Sequence, residues 1–217
     1  MNAPASAETS ASAGAPPGLP ARLLVVGANH SSASALLRDR LFVDDRAAPE
    51  FLASLARAGI RQCLVLSTCD RVEVQAAHPQ PLAAAELIKE ILAERVGENA
   101  GAARRGLYAH MDAAAARHVF AVAASLDSVT IGEPQILGQI KAAHRLARAA
   151  GTLGPELEEL LAAAFSCAKR VRSETAIAQG PVTLASSALM IARSIHGDLA
   201  RASGLLIAPG EMAELIA

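Results

Sequence analysis

A chain of 217 residues is long enough for one sizeable domain and part of another. Its 20 lysines and arginines nearly balance 21 aspartates and glutamates, and a net charge of −1 excludes the global polycationic character that drives nonspecific nucleic-acid binding. Aromatics at 2% leave no platform for stacking bases, and a 52% hydrophobic content inflated by alanine predicts closely packed helices rather than aromatic clusters.

Residues 1–20 are rich in Ala, Ser, Pro and Gly, with neither a basic nor an apolar region of a signal peptide, which predicts a disordered tail. Leu23 to Gly27 then reads as a short buried strand, and Ala47 to Ala58 as a helix. Leu64 to Leu66 is a second buried strand, ending at Ser67-Thr68-Cys69-Asp70-Arg71. Val72-Glu73-Val74-Gln75 alternates and predicts the next strand, so that a hairpin closes around Cys69. Pro81 opens a helix from Leu82 to Val96. From Ala113 the pattern is almost wholly helical, with His118, Val119, Val122 and Leu126 on one apolar face. Gly132-Glu133-Pro134-Gln135 breaks that face. Helices follow from Ile136 to Ala150 and, past Gly151 and Gly154-Pro155, from Glu156 to Thr175. Ala178-Gln179-Gly180-Pro181 is the expected domain boundary, with a helix from Val182 to Ile195 and a strand from Gly204 to Ala208 beyond it.

The three cysteines, Cys63, Cys69 and Cys167, have no C-x-x-C spacing and suit a reducing, cytoplasmic compartment better than a disulfide framework. No stretch reaches the roughly 18 apolar residues of a membrane span. Cys69 stands where a backbone turns out of a sheet. Arg71 would favour its thiolate and Asp70 would oppose it, so the local string leaves both a nucleophile and an inert structural cysteine open. His78, His110, His144 and His196 show no metal-ligand spacing, and no metal is expected. Lys141, Arg145 and Arg148 share one helical face, and Lys169, Arg170 and Arg172 form a second basic cluster. Each is either a solvated face or a contact for nucleic-acid phosphates.

Four strings taken together resemble the glutamyl-tRNA reductases of tetrapyrrole (haem, porphyrin) biosynthesis. They are Val26-Gly27-Ala28-Asn29-His30; Leu66-Ser67-Thr68-Cys69-Asp70-Arg71; Leu126-Asp127-Ser128 with Gly132-Glu133-Pro134-Gln135-Ile136-Leu137-Gly138-Gln139; and Ala168 to Thr175. The resemblance implies that Cys69 attacks the ester of glutamyl-tRNA to form a glutamyl thioester. NADPH reduces that thioester to glutamate-1-semialdehyde in the complete family. It assigns His118 an activity-linked role, against the plainer reading of a satisfied core histidine. Thr68, Asp70, Arg71, Ser128, Glu133, Pro134, Gln135 and Gln139 fall in the substrate-recognition shell. Arg71 is the candidate for gripping the substrate's side-chain carboxylate, a contact worth roughly 1.5–3 kcal/mol. Glu133-Pro134-Gln135 also suits simple helix punctuation, and His30 either lines the same cleft or caps a turn.

The implied fold class is α/β: an α+β catalytic domain with a small sheet and many helices over residues 21–180, followed by an incomplete Rossmann-like segment over 181–217. Asp70 stands where the family usually has asparagine, and Ser125 where it has glycine. The glycine-rich turn expected at Ala208-Pro209-Gly210-Glu211-Met212-Ala213 is degenerate, because alanine is poor at the tight turn and Pro209 lacks an N–H for pyrophosphate. The expectation is therefore a shortened oxidoreductase that forms the thioester but binds NADPH poorly by itself. It would lack the dimerisation domain and would depend on a second chain for any nucleotide domain. The alternative is a noncatalytic paralogue that binds tRNA or a pathway partner.

Overall fold

The computed structural model describes residues 20–178, 184–203 and 205. Residues 1–19 of the tail, most of the expected boundary, the strand expected from Gly204 to Ala208 apart from Leu205, and the whole of Ala208 to Ala213 lie outside the described residues.

The sheet grows from the apolar runs. β1 (Arg22–Asn29), β2 (Gln62–Ser67) and β3 (Arg71–His78) extend the predicted strands by a few residues at their ends. β2 and β3 form the expected antiparallel hairpin, from Gln62↔Ala77 to Ser67↔Val72, and β3 continues onto β1, from Arg22↔His78 to Asn29↔Arg71. A fourth strand, β4 (Tyr108–Met111), joins the free edge of β1, giving the order β2-β3-β1-β4 with every pairing antiparallel. Four residues with no alternation carry too weak a local signal to announce β4.

The helices are α1 (Ala35–Leu41), α2 (Ala48–Arg57), α3 (Pro81–Glu94), α4 (Ala100–Gly106), α5 (Asp112–Ala123), α6 (Gln135–Ala149), α7 (Pro155–Glu174) and α8 (Leu184–His196). α2, α3, α6 and α7 start within a residue or two of their expected positions. Proline in the first turn of α2, α3 and α7 forgoes an N–H that would go unpaired there anyway. α1 was not foreseen; it is short and starts where the Ser34 hydroxyl accepts a hydrogen bond from Leu37 N–H at 3.3 Å.

α3 packs on β1 and β3, α2 and α6 on β2, α5 and α7 on β1 and each other, and α7 also on β3. Both faces of strand β3 are closed. Val72, Val74 and Ala76 are buried on one, and Arg71, Glu73 and Gln75 equally on the other, where His118 of α5 meets Glu73 and the Asp127 carbonyl meets Arg71. Leu126 also departs from expectation. α5 stops at Ala123, Ser125 adopts a positive φ of 59° and reverses the chain, and Leu126 is left 53% exposed rather than in the helix face. A left-handed backbone at position 125 is the conformation that glycine accepts most readily, and serine holds it here by a hydrogen bond to the Glu133 carbonyl at 2.6 Å. Among the described residues, no helix is long and apolar enough to cross a membrane.

Candidate active site

The β2–β3 turn is built by Thr68. Its N–H donates to the Arg71 carbonyl at 2.8 Å, and its hydroxyl accepts from the N–H groups of Asp70 and Arg71, each at 3.2 Å. Thr68 is buried, and Cys69 is pushed to the exposed tip. The other two thiols behave differently. Cys63 is sealed in the core and its thiol is pushed up to about 12 by burial, whereas Cys167 is half-buried on α7. Of the three, Cys69 is the accessible one.

Three groups from outside the turn surround that tip. Arg38 on α1 reaches the Cys69 carbonyl with Nε at 3.4 Å. Asn29 closes its own turn at the end of β1 by accepting from the N–H groups of Ser31 and Ser32 at 3.1 Å, and His30 Nδ1 lies 3.0 Å from Asp70 Oδ1. His30 therefore stands against Asp70, the residue that follows Cys69. Glu133 approaches from the loop before α6.

Partial burial of the sulfur, then the charges of Asp70 and Glu133, raise the Cys69 thiol above its ordinary value; a backbone N–H and the charge of Arg38 work against them. The cation favouring the thiolate is thus Arg38 and not Arg71, a correction with a simple cause. Arg71 is 0% exposed and its charge is spent inside: NH1 meets Glu73 Oε1 at 2.6 Å, while NH2 donates to the Asp127 carbonyl and lies 3.6 Å from Asp127 Oδ1 and 3.8 Å from Asp70 Oδ2. Only its Nε lacks a partner.

Glu73 is the centre of this interior cluster. Its carboxylate accepts from Arg71, from the Tyr108 hydroxyl at 2.5 Å, and lies 2.8 Å from His118 Nε2. Burial pushes the Glu73 carboxyl up. The His118 hydrogen bond and charge, the Arg71 charge and the Tyr108 hydroxyl more than reverse this and hold it at about 2. Gly27 makes the arrangement possible. It is paired with Glu73 on one side and Tyr108 on the other, and a β-carbon there would collide with the Val72 carbonyl and with Glu73 itself. His118 offers its second nitrogen to Asp127 Oδ2 at 3.5 Å, so both ring nitrogens face carboxylates.

The loop from 125 to 133 connects the two groups. The Asp127 carbonyl is bound by Arg71, Gly132 N–H donates to the Ser125 carbonyl at 3.0 Å, and Arg172 on α7 donates to the Gly132 carbonyl at 3.0 Å. Gly132 has φ 85°, and a side chain there would strike the Ile177 backbone.

Of the expected site residues, the fold brings Thr68, Cys69, Asp70, Arg71, His118 and Glu133 into one connected region. Pro134 stands at the N-cap of α6, and Gln135 and Gln139 lie one turn apart on that helix; with Ser128 they make no hydrogen bond to the cluster. The sequence reading missed Arg38, Glu73, Tyr108 and Asp127 as site residues. A signal for Glu73 existed: Arg71, Glu73 and Gln75 recur at every second position of a strand whose remaining residues are apolar, which places opposite charges side by side on one face. Arg38 and Tyr108 had none, since α1 and β4 were themselves unforeseen. Among the described residues, no group of three or more His, Cys, Asp or Glu side chains could hold a metal ion.

Asp70→Asn is expected to speed alkylation of Cys69 by iodoacetamide severalfold at neutral pH, because it removes one of the two carboxylates that disfavour the thiolate. Peptide mass spectrometry separates this rate from those of Cys63 and Cys167. An unchanged or slower rate would show that Asp70 does not set the thiol's reactivity.

A family model described as "Glutamyl-tRNAGlu reductase, N-terminal domain" matches residues 26–175. A glutamyl-tRNA reductase from Rhodospirillum rubrum is 47% identical over 196 residues, covering 89% of this chain and 45% of the relative. One from Syntrophotalea carbinolica is 45% identical over 195 residues, covering 89% of this chain and 44% of the relative. Among solved structures, the glutamyl-tRNA reductase from Methanopyrus kandleri aligns with a TM-score of 0.61 at 30% identity, covering 89% of this chain and 45% of that one. The chain thus spans about 45% of the length of the relatives it matches.

Proposed function

Because this chain belongs to the glutamyl-tRNA reductase family, we propose that it carries out acyl transfer from glutamyl-tRNA to Cys69 in tetrapyrrole biosynthesis. The thiolate attacks the ester carbonyl, the new C–S bond replaces the C–O bond to the ribose, and the thiol proton ends on the departing ribose oxygen. The observation that carries this reading is the placement of Cys69 alone at the exposed tip of a turn braced by Thr68, beside a cation and two acids.

The two acids fit the substrate. An aminoacyl ester carries an α-ammonium group beside its carbonyl, and Asp70 and Glu133 offer that cation opposite charge. Once it is bound, their hold on the thiol is offset and the thiolate forms in the presence of substrate. Arg71, buried behind the turn, has an unpartnered Nε and faces Asp127 across 3.6 Å. It grips the substrate's side-chain carboxylate if Asp127 gives way. His118 and Tyr108 position Glu73, and through it Arg71.

NADPH, the hydride donor of the family, would supply the hydride that takes the thioester to glutamate-1-semialdehyde. The described residues do not fit that cofactor: every strand pairing is antiparallel, and a dinucleotide site needs a parallel strand–helix–strand unit. A reducing, cytoplasmic setting accords with three unpaired cysteines.

Intact-mass spectrometry after incubation with glutamyl-tRNA tests the chemistry. One glutamyl adduct, labile to hydroxylamine and absent in Cys69→Ser, is expected. No adduct on the wild type, or an adduct that survives the substitution, rejects it. The raised thiol favours a second reading, a binding protein without catalysis; it requires a Cys69 inert to iodoacetamide and tRNA affinity indifferent to Cys69→Ala.

A further inference from the structure

We propose that the groove between α6 and α7 seats phosphates of the tRNA whose acylated end reaches Cys69. This rests on the reading of the chain as one that handles glutamyl-tRNA. The groove is a surface cavity of about 540 Å³ lined by Lys141 of α6 and by Phe165, Ser166, Lys169, Arg172 and Ser173 of α7, with no acidic side chain in its wall. Two other cations of the same helices are neutralised, Arg148 by Glu158 and Arg170 by Glu174 at 3.0 Å, while Arg145 of α6 is exposed, has no carboxylate partner among the described residues and does not line the groove. The three in the groove have no carboxylate partner among the described residues. Lys141 Nζ lies 5.8 Å from the Phe165 ring centroid, Lys169 is exposed, and Arg172 spends one N–H on the Gly132 carbonyl at 3.0 Å. In a chain of net charge −1, this is a local surplus of positive charge.

The chemistry suits a phosphate backbone. Ammonium and guanidinium groups neutralise it, and the exposed Ser166 hydroxyl can donate to its oxygens, the Ser173 hydroxyl being already given to the Arg170 carbonyl at 3.2 Å. Phe165 is the groove's one aromatic ring and is covered by Lys141, so base reading is not what the wall provides. The position suits the acyl transfer as well. Arg172 holds Gly132, the neighbour of Glu133, whose carboxylate is felt at the Cys69 sulfur. Through Arg172 the groove is thus tied to the loop that carries Glu133 towards the hairpin tip.

The test measures binding of fluorescein-labelled glutamate tRNA by anisotropy across a salt series, in a Cys69→Ala background so that no acyl transfer intervenes. The Lys141→Gln/Lys169→Gln double variant is expected to weaken low-salt binding about tenfold and to flatten the slope of log affinity against log salt by roughly 1–2, since each lost phosphate contact removes about 0.7–0.9. Lys169→Glu, at an exposed position that tolerates change, should weaken binding on its own. Lys89→Gln on α3, whose lysine is paired with Glu86 at 2.9 Å, should leave the slope as it was. Slopes and affinities equal to the parent's in both groove variants, or no tRNA binding by the parent, overturn the proposal. Acylation of Cys69 by an activated glutamyl ester without RNA is read separately, so either idea can fail while the other stands.

Discussion

Glu73→Gln is expected to cost roughly 3 kcal/mol of folding stability, one of the two largest effects anticipated for a single side chain. The substitution keeps the shape of residue 73 and removes only its charge. That charge lies 2.6 Å from the Arg71 guanidinium, where neither group is exposed at all. Removing one partner of a buried pair leaves the other as an uncompensated charge, typically at 3–5 kcal/mol. The lower end applies because Asp127 Oδ1 at 3.6 Å and Asp70 Oδ2 at 3.8 Å remain near Arg71. Removing both partners, in Arg71→Met/Glu73→Leu, should be the milder change, since apolar groups of similar volume owe no desolvation. Urea denaturation of Glu73→Gln and of the double variant measures this. A Glu73→Gln loss below about 1 kcal/mol would mean that the pair is not isolated from water. A site effect should accompany the loss of stability. The Arg71 guanidinium also binds the Asp127 carbonyl, so a cation seeking a new partner pulls on the loop that carries Glu133 towards Cys69.

The second large effect is on acid stability. Glu73 is held at about 2, below its usual 4.5, so the folded state favours its charged form. The stabilisation is fully present above the unfolded value of about 4.5 and is lost as pH falls through about 2, below which both states are protonated. At 1.36 kcal/mol per pKa unit, the contribution is about 3 kcal/mol. Denaturation midpoints measured between about pH 5 and pH 2 should therefore fall more steeply in the wild type than in Glu73→Gln, and the two curves should converge at the acid end. Parallel curves would assign acid sensitivity to other carboxylates. Exposed pairs such as Arg57 with Glu50 at 2.7 Å are screened by solvent and are not expected to match this effect.

The same cluster shows where sequence patterns run out. Alternation in Val72-Glu73-Val74-Gln75 was enough to place a strand but not to say what its polar face meets. There Glu73 gathers Arg71, Tyr108 and His118 from three separate elements, while the buried Gln75 amide finds no hydrogen-bond partner among the described residues. Nothing local in Tyr108 marks it as Glu73's donor. That contact exists because Gly27 stands between them and leaves the space above β1 empty. Arg71 likewise reads as a free cation two residues from a thiol, and only its enclosure by Glu73 and Asp127 removes it from that role.

Local chemistry alone determined the hairpin, the long helices with their proline starts, and Cys69 at the turn, because strand runs, turn residues and helix periodicity act over a few neighbouring positions. Four strings taken together, among them Ser67 to Arg71 and Gly132 to Gln139, were also enough to point to the family. The tertiary structure decided what those residues face: Arg38 beside the sulfur, Arg71 turned inward, Glu133 brought across from another loop and three unmatched cations gathered between α6 and α7. Burial and the charges of Glu133 and Arg38 come from groups distant in the chain, so the reactivity of Cys69 is set by the fold together with its neighbour Asp70.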